Sequence, residues 1–176
     1  MPQIHAPDEY PASEYDEYWC LKPPPLLWLA TLYLSRSITL PLIMAVGTVA
    51  GINSSSMGWL KSLWSLNAIA PSLIAAAILY DLFRRAPTAS RGVRWTWGRG
   101  RIFLGVSAAV DLALSAITII RLGNASNEAL TAILCGALDL AFLAYVLLAT
   151  RVRETFAHFP SPELAEKKPA KRRTSQ

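Results

Sequence analysis

The sequence predicts an all-α polytopic membrane protein, a four-transmembrane-helix bundle with both termini on the cytoplasmic side (N-in/C-in). Three observations carry this expectation. Hydrophobic residues make up 53% of the 176 positions and charged residues 16%, well below the roughly 25% charged share of a soluble domain. The charges fall in short blocks between long uncharged stretches, as loops alternate with spans. Lys and Arg divide fourteen against two between alternate connections.

Four apolar segments are bounded by these charges, at residues 26–52, 62–80, 102–120 and 129–150. Each is long enough to cross, because a helix needs about 20 residues to span about 30 Å of hydrocarbon. The first is the longest and leaves room for tilt or an interfacial first turn. Backbone amides find no water in lipid, and the segments lack the short alternating pattern of barrel strands, so helices are the economical reading.

The connections divide the chain further. Residues 1–22 form an acidic leader with Asp8, Glu9, Glu14, Asp16 and Glu17 and no Lys or Arg before Lys22. A cleavable secretory signal begins basic, so the leader is expected to be retained. Residues 23–159 form the membrane domain. Within it, residues 53–58 and 123–127 are Ser/Gly and Gly/Asn turns that fit tight hairpins, with Asn127 placed to cap the fourth helix. Residues 83–101 make a longer basic link holding Pro87 and Gly92. The tail, 160–176, combines Pro160, Pro162 and Pro169 with a Lys/Arg cluster and is expected to be disordered.

Orientation follows from the loop charges. Lys22, six arginines of the middle link (Arg84 to Arg101), and Arg151, Arg153 and the tail cluster lie on one side, against Lys61 and Arg121 on the other. The positive-inside rule places the leader, middle link and tail in the cytoplasm. Trp28, Trp59, Trp64, Trp95 and Trp97 fall near span ends, where interfacial aromatics belong.

The residues that stand out chemically are the ionisable ones inside spans: Arg36, Asp111 and Asp139. A charge at mid-membrane costs about 2.5–3.5 kcal/mol on insertion scales, so the three are expected to face one another as an intramembrane polar cluster. Arg36 can neutralise one aspartate. The other would then be protonated or hydrated, which makes it a candidate proton or cation relay, with a purely structural ion cluster the favoured alternative. The segments Ala109–Ala113 and Ala137–Ala141 share an Ala-x-Asp-Leu-Ala pattern, a weak sign of an inverted pair against which chance similarity in Ala/Leu-rich sequence weighs more heavily. At the cytoplasmic end of the second span, Asp81 precedes Arg84 and Arg85 by three and four residues, the spacing of a local ion pair. Gly47 and Gly51 form a GxxxG spacing expected to serve helix packing, as do Ala68, Ser72 and Ala76, while Pro41 and Pro71 are candidate kink sites.

Several function classes are disfavoured. The net charge of +5 does not imply nucleic acid, because the basic residues flank apolar spans. Arg91 to Arg101 with Trp95 and Trp97 reads as a positive-inside link, and the tail as a topology and anionic-lipid signal. Cys20 and Cys135 sit too differently to share a disulfide, His5 and His158 have no partners at ligand spacing, and Gly98 and Gly100 lack the strand and helix of a phosphate loop. No nucleophile-and-base pair, metal motif or cofactor motif is present. The expected partners are the lipid bilayer, with anionic-lipid contact through the Arg/Lys loops, and a homo-oligomer or another membrane protein. The expected function is a non-enzymatic packing or accessory subunit. The alternative is a small proton- or ion-coupled transporter using Asp111 and Asp139.

Two stretches resemble the YfeZ-like family of bacterial inner-membrane proteins, which is uncharacterised. Tyr15-Asp16, Leu21-Lys22-Pro23, Trp28-Leu29 and Arg36 are similar to that family's acidic, Pro-bearing approach to its first helix. Ala137-Leu138-Asp139-Leu140, Tyr145 to Leu148, Arg151-Val152-Arg153-Glu154 and Phe156 resemble its last helix and basic exit. Trp19-Cys20 departs from the Gly-containing turn of the pattern, and Asp111 has no counterpart in it. The resemblance implies a multi-pass protein of the bacterial inner membrane and supplies no reaction.

Overall fold

The computed structural model describes residues 10–16, 18, 20–51, 68–122 and 127–160. These form seven α-helices: α1 (Pro25–Leu34), α2 (Arg36–Val49), α3 (Ile69–Phe83), α4 (Arg91–Gly98), α5 (Gly100–Leu122), α6 (Asn127–Leu148) and α7 (Thr150–Ala157). Two of them, over Gly100–Arg121 and Glu128–Leu148, are long and apolar enough to cross a membrane. The pair α1 and α2 adds a third candidate span when taken together, although its halves meet at 85°. The expectations for the tail, for Lys61 and for the turns at 53–58 and 123–126 fall outside the described residues.

The first expected span is therefore two helices rather than one. Pro25 opens α1 at a position whose amide needs no partner. Three hydroxyls then compete for carbonyls around the break: Thr31 Oγ1 donates to Leu27 O at 2.7 Å, Ser35 Oγ to Leu32 O at 2.9 Å and Thr39 Oγ1 to Ser35 O at 3.3 Å. Such back-bonding bends helices, and Pro41 removes the amide that would serve the Ser37 carbonyl. The chain turns at Ser35, six residues before Pro41.

At the far end of α2, Gly47 and Gly51 do not lie on one helix face. Gly47 is buried within α2, but Gly51 lies beyond the helix at φ +78° with no atom near the place a Cβ would occupy. Its amide donates to Thr48 O at 3.1 Å while that of Ala50 reaches Val46 O at 2.9 Å. Gly51 is a helix stop, and its left-handed conformation is what calls for glycine.

Of the second expected span, residues 62–67 are outside the description, and α3 runs three residues past Tyr80. Pro71 stands in the first turn of α3, where a missing amide is tolerated. Ser72 Oγ donates to Leu34 O at 3.0 Å, satisfying a carbonyl at the end of α1, and Ser107 Oγ donates to Pro71 O at 2.8 Å. Two serines thus tie α1, α3 and α5 together at one level.

Helices α5 and α6 pack along their lengths. A Cβ on Gly136 would lie 3.4 Å from Ser115 Cβ, and one on Gly105 3.5 Å from Leu147, so the helices run in opposite directions. The expected fourth span is α6 as far as Leu148, and at Ala149 α6 gives way to α7. Arg101 caps that end: its Nε donates to Val146 O at 3.1 Å and its Nη2 to Leu147 O.

The basic middle link is largely folded. Ser90 Oγ accepts from the Val93 amide at 3.4 Å and starts α4, whose Val93 and Trp97 point inward one helical turn apart. Trp97 Nε1 donates to Thr155 O and His158 O, both at 3.2 Å, and its ring packs on Phe156 and Phe159. The core is continuous from Leu27, Ile78, Leu104 and Val146 in the bundle to Trp97, Val152 and Phe156 in this cap.

The leader closes the cap. Ala12–Glu14 form a single 3-10 turn, and Tyr15 bridges Leu21. The Asp16 carboxylate accepts the amides of Tyr18 and Cys20, both at 2.9 Å. Glu14 pairs with Arg151, while Asp16 lies 3.5 Å from Arg85. The expected ion pair of Asp81 with Arg84 and Arg85 is consequently replaced by other partners. Because α3 ends at Phe83, Arg85 leaves the helix, donates to Leu21 O at 3.0 Å and lies over Trp97. Asp81 instead accepts from the Thr96 hydroxyl of α4, and Arg84 is exposed.

Candidate functional site

The bend at Ser35 makes Arg36 the first residue of α2 and turns it towards the middles of α5 and α6. Its Nη1 stands 2.8 Å from Asp111 Oδ2 and 3.5 Å from Asp139 Oδ1. The structure therefore brings all three ionisable residues together, one from each of α2, α5 and α6. Asp111 lies 11 residues into α5, about 16 Å along its axis, midway between the helix ends. The two Ala-x-Asp-Leu-Ala segments place their aspartates on the same guanidinium.

The cluster is sealed on all sides by protein. Asp139 is 0% exposed, Asp111 2% and Arg36 7%. Arg36 Nη1 also reaches the Tyr33 carbonyl at 3.5 Å, and the guanidinium lies 4.3 Å from the centre of the Tyr33 ring. Tyr33 in turn donates its hydroxyl to Cys135 O at 3.1 Å and tilts against Phe142, which joins α1 to α6. A cation at the start of a helix opposes the positive end of its dipole. The two carboxylates beside Arg36 offset both.

Charge counting defines what the arrangement can do. One guanidinium balances one carboxylate, and a second carboxylate within the same enclosure is surplus. Asp139 Oδ2 accepts no hydrogen bond in good geometry among the described residues. A buried anion of this kind is stabilised by a proton, a cation or a further donor. No group of three or more His, Cys, Asp or Glu among the described residues is arranged to hold a metal.

The sequence singles out the three charged residues, because charge in an apolar span is rare. It does not single out Tyr33 or Ser107, whose neutral groups blend into apolar helices, and it marks Ser72 only as a small packing residue. Tyr33 sits one turn before Arg36, a spacing that was the available signal.

No curated protein and no solved structure matches the chain. A family model does match it, over residues 10–158, from the leader strap to the end of the cap. The chain belongs to the family described as Protein of unknown function (DUF2919).

Proposed function

We propose that this is a non-enzymatic, multi-pass protein of the bacterial inner membrane whose bundle acts as a packing or accessory subunit, within a homo-oligomer or beside another membrane protein. The observation that carries the reading is Arg36 ion-paired with carboxylates from two other helices. Such a bridge fixes helix order and register, the best-attested use of buried charges. Four spans with both termini cytoplasmic are part of the proposal. The fourteen-to-two charge division supports the orientation, and the YfeZ-like resemblance supports the compartment.

A second reading is favoured by one feature, the surplus carboxylate with its unpaired Asp139 oxygen. In that reading Asp111 and Asp139 form a proton or ion relay and Arg36 keeps one of them ionised. Protein purified into vesicles separates the two. Under the packing reading no imposed pH gradient is dissipated, and crosslinking recovers one stoichiometric partner. Dissipation abolished by Asp139→Asn in folded protein would establish the relay instead. Reporter fusions after Ser56, Ser90, Asn124 and Gln176 test topology, and a periplasmic signal at Ser90 or Gln176 overturns the orientation.

A further inference from the structure

The 85° break does more than aim Arg36. It carries α2 away beneath the outer faces of α1 and α3 and leaves a groove of about 540 Å³ between the three helices. Trp28, Leu29 and Leu32 form one wall, Leu79 and Phe83 the second, and Thr39, Leu42 and Ile43 the floor. Leu29 is 56% exposed and Phe83 73%, so the groove opens sideways, away from the bundle. Its volume lies in the range of small-ligand sites, roughly 300–1,000 Å³.

The lining identifies the class of occupant. It takes Trp28 to Leu32 of α1 and Leu79 to Phe83 of α3, and its one hydroxyl, that of Thr39, is already bonded to Ser35 O. An apolar groove that opens sideways from a membrane bundle suits an alkyl chain, with an exposed cation beside its rim to take a charged headgroup. The mouth is marked by Trp28 and Phe83, whose rings meet edge to face at 5.0 Å. Immediately after Phe83 comes the exposed Arg84, which ends α3. Its neighbour Arg85 is occupied by Asp16 and Leu21.

We propose that this groove is a lipid site holding one acyl chain of an anionic phospholipid from the cap-side leaflet, with the headgroup phosphate on Arg84. The apolar walls take the tail, and α2 stops it. The guanidinium selects the charge of the headgroup.

Native mass spectrometry of the full-length protein tests this, using detergent-purified material incubated with equal amounts of phosphatidylglycerol and phosphatidylethanolamine of identical chains. The expected result is one retained phosphatidylglycerol per chain. Leu29→Trp, which fills the groove from an exposed position, lowers retention about tenfold. Arg84→Gln keeps lipid bound but removes the preference for phosphatidylglycerol. Unchanged thermal melting of both variants establishes that they are folded. Equal retention by wild type and Leu29→Trp overturns the site, and an unchanged headgroup preference in Arg84→Gln overturns the assignment of the phosphate. A lipid-free dimer that Leu29→Trp dissociates also overturns it, by making a second copy the occupant.

Discussion

Gly100 lies so close to Phe156 that a Cβ on the glycine would overlap the ring, with Phe156 Cδ1 at 2.7 Å. This contact joins the start of α5 to α7 and sets how closely the cap sits on the bundle. Gly100→Ala is expected to force the ring aside and cost about 1–3 kcal/mol, the usual range for overpacking. A second change, Phe156→Leu, makes room and recovers part of that loss. Thermal unfolding of the single and double variants in detergent measures the coupling; strictly additive losses would mean that the two residues do not meet.

Arg36 and its two aspartates call for a less intuitive outcome. Removing the arginine alone, as in Arg36→Leu, leaves two carboxylates facing each other without a cation, and breaking a buried pair in this way costs about 3–5 kcal/mol. Replacing all three residues by leucine removes the charges along with the need to balance them. The triple variant is expected to be more stable than the single Arg36→Leu. Thermal melts in one detergent give the order, and a triple variant less stable than the single would mean that each residue has a separate structural role.

The same three residues mark how far the sequence can be read. Ionisable groups in apolar spans announce themselves through their cost, so the cluster was legible. The uninterrupted apolar runs of α5 and α6 were legible for the same reason of length. The bend at Ser35 was not, because hydropathy has no direction and both halves of residues 26–49 are apolar. Its trace was the i, i+4 series Thr31, Ser35, Thr39 ahead of Pro41. The cap was hidden by size: α4 and α7 have eight residues each, and their inward pairs Val93/Trp97 and Val152/Phe156 are too short a pattern to stand out beside charged neighbours. Asp81 illustrates the opposite error. The i+3 and i+4 rule assumes a continuing helix, and α3 stops before Arg84.

Arg101 offers a test of the cap from the other side. Its two nitrogens serve carbonyls at the end of α6, groups that have no amide partner within a helix. Arg101→Ala should destabilise the protein by about 0.5–1.5 kcal/mol, the net worth of a part-buried hydrogen bond. Arg101→Lys should restore less than half, because an ammonium lacks the fork that spans two carbonyls. Full rescue by lysine would reduce the role of Arg101 to its charge.

Cys20 reports on the leader strap and supplies a pH dependence. Burial pushes its thiol up from 9.0 to about 11, the nearby Asp16 carboxylate acts in the same direction, and Arg85 opposes both. A thiol whose folded value is raised ionises first in the unfolded chain. Its contribution to leader docking is therefore fully present below about pH 9 and is lost as the pH climbs towards 11. In a Cys135→Ser background, maleimide labelling of Cys20 should be slow at neutral pH and accelerate through that window by more than thiolate formation alone explains. Asp16→Ala removes the two amide hydrogen bonds that fold the strap, worth roughly 1.5 kcal/mol or more together. It also removes the charge that raises the thiol, so opening and ionisation change in the same direction. Labelling at neutral pH is then expected to rise roughly tenfold, and an unchanged rate would mean that Cys20 is covered by something other than the strap.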